Sequence, residues 1–274
     1  MPICTAEDPR SLWATALVTS WCAAAVLDEV SPDDAAQQIS DQISRDLPRR
    51  SSAPITSWVQ EATEILTWPH FIAKMKAGLP KRIALVLPVA GDTHGLPAAM
   101  GERVQDVGAA MTWARRSHPT TLHIAIAQPN TDALAWSHEL AGPVDNHGES
   151  PHPIGAALDE ADRTLKRAVL AAAEQLDDLE LIPTDTAARD GLAALAARFD
   201  DTRWPGWVQP AGDPRSRIDV AMRAMTIIWA TQLALASDGP ALSATAAAAR
   251  ASALTDLGRH GRRGLEAAFT TDVR

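Results

Sequence analysis

Leu79–Pro97 reads LPKRIALVLPVAGDTHGLP, an apolar run that meets a polar turn. Ile83 to Leu87 is too short for an ordinary globular helix and suits one buried strand. Pro88 lacks a backbone donor, so the regular ladder is expected to stop there. The turn that follows places Asp92 and His94 near a strand end. Its Gly, Asp and Thr suit a structural polar turn, while carboxylate and imidazole together suit proton transfer or ligand binding.

Two more strands are expected beside this one. Val107, Ala109, Met111 and Trp113 alternate within Val104 to Arg116, and Leu122, Ile124 and Ile126 alternate within Thr121 to Ala127. These make a small three-stranded antiparallel sheet. Around it the pattern is helical. Leu17, Trp21 and Ala24 share a face of a helix over much of Leu12 to Leu27, and the uncharged run Ser11 to Leu27 falls short of a membrane span and lacks a basic leader. Ser31-Pro32-Asp33-Asp34 is a helix start, with Ser31 as cap, Pro32 in the first turn and Asp34 closing a capping box. A further helix is expected over Ile55 to Leu66, a short one from Phe71 to Gly78, and another over Asn130 to Glu139.

Gly142, Pro143, Gly148, Pro151 and Pro153 break the pattern, so the chain is divided into residues 1–140, a connection at 141–153 and a helical bundle at 154–274. In the bundle, Leu158, Ala161, Leu165, Ala168, Ala172, Leu176 and Leu179 form one apolar seam. Helices are expected over Thr184 to Asp200, from Asp213-Pro214 to about Asp238, and from Ser243 past Ala268. The fold class is thus α+β: predominantly helical, with a small three-stranded antiparallel sheet and a C-terminal helical bundle.

Composition limits the functional classes. A formal charge of -9 disfavours nonspecific attraction to nucleic acid, and the 46% of apolar residues suffices for a real core. Cys4 and Cys22 form no metal or redox motif, which leaves a reducing cytoplasm as the expected compartment. His118, His123, His138, His147 and His152 show no zinc-site spacing, and neither they nor Asp132 and Glu139 define a metal centre. His123 reads as a strand-face residue and His138 as part of a solvated helix. No P-loop or GxGxxG pattern follows the strand, so no cofactor is expected. Arg259, Arg262 and Arg263, set among Gly258, Gly261 and Gly264, offer an anion site or simply a basic helix end with room for close helix contact. Trp204 and Trp207 suit either a ring-stacking platform or cover for the bundle end.

The segment IALVLPVAGDTHGL (Ile83–Leu96), the helix beginning Glu160-Ala-Asp-Arg-Thr-Leu165 and the alanine-rich C-terminal helices together resemble an actinobacterial family of uncharacterised conserved proteins. The resemblance covers roughly Gly78 to Phe269, with an LVLPxxGDxxGL-like motif at Leu85–Leu96. It implies no catalytic roles. The residues favour a soluble interaction or scaffold protein with a protein partner or a homodimer. The alternative is a small-molecule or anion-binding protein, or an enzyme, using Asp92 and His94, with Arg259, Arg262, Arg263, Trp204 and Trp207 as further ligand-binding candidates.

Overall fold

A computed structural model describes residues 9–46, 58–61, 64–89, 92–93, 96, 100, 104–105, 108–129, 134–141, 154–179, 215–236 and 243–273. They divide into two compact units. The first contains α1 (Pro9–Val26), α2 (Pro32–Asp46), β1 (Trp58–Glu61), β2 (Glu64–Thr67), α3 (Trp68–Ala77), β3 (Pro80–Val86), β4 (Ala110–Arg115), β5 (His118–Pro129), β6 (Leu134–Ala141) and β7 (Thr271–Asp272). The second contains α4 (Ile154–Asp177) from Gly155 onward, α5 (Arg215–Leu235) and α6 (Ala244–Ala268). The expected connection lies, beyond Ala141, outside the described residues, as does the helix expected over Thr184 to Asp200.

The sheet corrects the three-stranded expectation. It has seven strands in the order β2-β1-β6-β5-β4-β3-β7, and it is mixed, because β1 runs parallel to β6 while every other pairing is antiparallel. The three expected strands form its β3-β4-β5 centre. Within the helix expected over Ile55 to Leu66, Trp58–Glu61 and Glu64–Thr67 are instead paired antiparallel strands, and within that expected over Asn130 to Glu139 the residues from Leu134 onward belong to β6. Taken together, the pairings make β2 and β3 run in the same direction, joined through α3.

Successive side chains of a strand point to opposite faces, so the register assigns each face its residues. Ile83, Trp113 and His123 share one face, as do Leu85, Met111, Ala125 and His138. Phe71 of α3 lies on it against Trp113 and His138, and α1 packs against β3, β4 and β5. The other face has its own core of Val86, Ala110, Ile124, Ile126 and Ala141, capped by Leu96 and Val104.

Helix α1 is buried on nearly all sides, which explains its apolarity without a membrane. Its fully buried Thr19 hydroxyl donates to the Thr15 carbonyl at 2.7 Å, so the polar atom is satisfied inside the helix. Ser31 caps α2 as expected: its hydroxyl accepts from the Asp34 N–H at 3.0 Å and donates to the Asp34 carboxylate at 2.7 Å. Cys22 sits in the middle of α1 with no exposed surface, and burial pushes its thiol far up from the ordinary range. In a Cys4→Ser variant, therefore, a thiol reagent is expected to label Cys22 at least about a hundredfold more slowly in buffer than in denaturant. Equal rates would show that α1 is not held in the core.

In the second unit the expected seam on α4 is buried at Leu165 and Ala172, and Leu158, Ala161, Ala168, Leu176 and Leu179 are half-buried. Asp162 of α4 pairs with Arg223 of α5. Helix α6 meets α5 at Gly258 and Gly261, where a Cβ would lie 3.0 Å from Thr231 Oγ1 and 3.1 Å from Ile227 Cγ2, and meets both α4 and α5 at Gly264, where it would lie 3.2 Å from Leu165 Cδ2 and 3.4 Å from Ala224 Cβ. The glycines thus serve close helix contact. Ser216–Leu235 is long and apolar enough to cross a membrane by length and composition, with 39% of its apolar window buried, and core helices and signal sequences meet the same test.

Candidate functional site

Chemistry-bearing side chains gather on the α3-covered face of the sheet. On β5, His123 pairs in register with Trp113 of β4 on one side and Leu140 of β6 on the other; His138 of β6 pairs with Ala125. The two histidines are therefore diagonal neighbours across β5 and β6, a separation that ring side chains can span. Their rings meet, with His123 Nδ1 3.0 Å from His138 Nε2.

The geometry specifies the kind of contact. The ring centroids are 5.2 Å apart and the planes differ by 6°. A 3.0 Å nitrogen contact leaves little more than the two ring radii to complete that separation. The imidazoles therefore lie end to end in one plane, with facing nitrogens along the shared axis, rather than face to face. One proton fits between those nitrogens. A zinc ion would not, since zinc–nitrogen bonds of about 2.0–2.1 Å require more room along that axis.

An aromatic shell closes the pair off. The Trp113 indole lies 5.1 Å from each imidazole, with planes tilted by 17° from His123 and 20° from His138. Phe71 of α3 meets Trp113 and His138 edge-on at 5.6 Å and 5.8 Å. Trp68 in turn meets Phe71 at 5.7 Å and Trp136 at 5.2 Å. Such edge-to-face pairs hold rings in fixed relative orientations. His123 and His138 are only 5% and 6% exposed, so the arrangement can hold and exchange protons but leaves a substrate almost no access to them.

This corrects the reading of His138 as part of a solvated helix; His123 is on a strand face as expected. The available signal was the alternation Trp136-Ser137-His138-Glu139-Leu140, in which Trp136 and His138 turn inward and Ser137 and Glu139 point to the opposite face.

The earlier candidates lie elsewhere. Asp92 exchanges backbone hydrogen bonds with Val89 at 2.9 Å each way, while the Gln105 side-chain amide donates to the Val89 carbonyl at 2.9 Å. Nearby Leu96 belongs to the core on the face opposite the imidazole pair. His94, Trp204 and Trp207 lie outside the described residues. Arg259, Arg262 and Arg263 all fall within α6: Arg259 pairs with Asp256 at 2.5 Å, Arg262 is buried and Arg263 is exposed. Among the described residues, no group of three or more His, Cys, Asp or Glu side chains is arranged to hold a metal ion.

Fold and site together define an α+β protein with a sealed imidazole–indole cluster on its sheet. Within the chain, residues 159–266 match the family model described as "Rv1486c-like protein, C-terminal domain". That model is named after a gene of M. tuberculosis, in agreement with the resemblance to uncharacterised actinobacterial proteins. No curated protein and no solved structure matches the chain.

Proposed function

We propose that the protein works by binding another polypeptide, as an interaction or scaffold protein, and that the β2 edge of its sheet is the docking surface. The observation that carries this reading is the composition of that edge. Among the described residues β2 pairs only with β1, and it presents Glu64-Ile65-Leu66-Thr67 with Ile65 68% exposed. Sheet edges are usually blunted by short strands, charges, proline, bulges or a covering element, because their free backbone groups recruit further strands, and of these β2 has its four-residue length and Glu64. Here Glu64 is the only charged residue on the strand. Strand addition would supply affinity through main-chain hydrogen bonds, with Ile65 contributing an apolar contact. A second copy of the chain is the simplest partner, since the same edge then serves both sides of a twofold contact.

Sedimentation of the full chain from about 1 to about 100 μM tests the reading, a range suited to weak or transient contacts. The expected result is a concentration-dependent dimer that Ile65→Lys returns to monomer by charging the edge. A strictly monomeric wild-type chain, or a dimer indifferent to Ile65→Lys, would remove β2 as an interface between copies.

A further inference from the structure

We propose that His123 and His138 form a two-step proton switch that fastens β6 and α3 to the rest of the sheet, holding through the first added proton and opening on the second. A neutral imidazole carries one N–H donor and one acceptor nitrogen. Two neutral rings in line at 3.0 Å therefore share a single proton without conflict. A first added proton binds an outward nitrogen and leaves the shared one in place. The contact becomes a charge-assisted hydrogen bond, shorter and stronger than its neutral counterpart. The added charge lies beside the Trp113 indole, within the roughly 6 Å over which an aromatic ring attracts a cation.

The second proton has no compatible position. It gives both facing nitrogens an N–H and sets two cations in contact inside an almost sealed space, where water screens them poorly. The pair must then part. Its separation passes to named elements: His138 belongs to β6, Phe71 of α3 leans on the His138 ring, and β6 is the strand through which the β1–β2 hairpin joins the sheet.

Charged and titratable groups on each surrounding element act on the pair according to where they stand. Between Leu12 and Val26, α1 offers only the Cys22 thiol. On α3 are His70 and Lys74, both exposed, and Lys76, which is paired with Asp28 at 2.5 Å. Strand β3 carries Lys81, which is exposed, and Arg82, which pairs with Asp272. Strand β4 carries Arg115, and β5 carries an exposed His118 whose ring meets the Ser117 hydroxyl. Glu139 of β6 points to the opposite face, Glu61 of β1 occupies the register position beside His138, and Glu64 of β2 is exposed.

The test is an imidazole 15N NMR titration of the full chain from about pH 8 to about pH 4, the range in which histidine charge changes, with amide hydrogen exchange followed on the same samples. Two separate macroscopic steps are expected, as for any strongly coupled pair. The hydrogen-bonded N–H should survive the first, and β6 and α3 amides should lose at least about tenfold of their protection at the second. Three results would overturn the switch: both rings titrating in one step near the ordinary value of about 6.5, neither titrating before the whole chain unfolds, or unchanged protection of β6 and α3. His138→Gln keeps an amide at the site without a titrating ring and should abolish the acid-induced loss of protection. Should that variant not fold, His123→Gln serves the same purpose, and the wild-type titration decides independently of both.

Discussion

Gly261→Val should destabilise the helical unit by about 3 kcal/mol, the upper part of the usual range for overpacking. A Cβ at position 261 would lie 3.1 Å from Ile227 Cγ2, 3.1 Å from Ile228 Cγ1 and 3.3 Å from the Ala224 carbonyl oxygen. The first two neighbours are β-branched and stiff at χ1, and the third is backbone, so none yields without displacing α5. Valine adds two γ-methyl groups to that contact. Gly261→Ala is the informative intermediate: alanine gains about 1 kcal/mol of helix propensity, which opposes a smaller clash, and its net effect should be less than half that of valine. Gly258→Ala should remain within about 1 kcal/mol of wild type, because its nearest neighbour is the Thr231 hydroxyl at 3.0 Å. That hydroxyl bonds back to the Ile227 and Ile228 carbonyls and can adjust by rotation. Urea unfolding of the full chain, followed by helical circular dichroism, gives all three values; an unchanged midpoint for Gly261→Val would mean that α5 does not approach α6 at that turn.

The contrast between these glycines and the imidazole pair shows what a linear sequence can carry. Glycines three apart on a helix already share a side of it, so close helix contact could be read from Gly258, Gly261 and Gly264 alone. The cap at Ser31, the seam from Leu158 to Leu179 and the strands at the centre of the sheet were legible for the same reason: each is a local pattern that repeats or a fixed offset. The β1–β2 hairpin was not. Four-residue strands contain too little alternation to compete with the helical spacing of Trp58, Ala62 and Ile65. Misreading β6 then concealed the site, because His123 and His138 meet only through the diagonal register between β5 and β6. Asp92 and His94, two residues apart in the sequence, were legible because their proximity needs no tertiary structure. The imidazole pair needs two strands and a register to exist.

Trp68→Ala tests the aromatic shell and should cost the first unit about 4 kcal/mol, within the range for removing a fully buried tryptophan. Trp68 opens α3, is 2% exposed, and holds Phe71 on one side and Trp136 on the other in edge-to-face contact. Its loss leaves a cavity lined by two rings that had fixed each other's orientation through it. Set against a typical domain stability of about 5–15 kcal/mol, such a loss should move the unfolding midpoint far enough for a clear transition at low urea. Trp68→Phe keeps a ring and should recover about half of the loss. The effect should also extend beyond stability. Phe71 lies between Trp68 and His138, so a variant that remains folded should admit water to the imidazole pair and bring its two protonation steps closer together, because solvent screens the charges that the sealed site keeps apart. A large loss of stability with unaltered histidine titration would place Trp68 in the packing of α3 alone; a small loss would mean that the ring cluster does not bind α3 to the sheet.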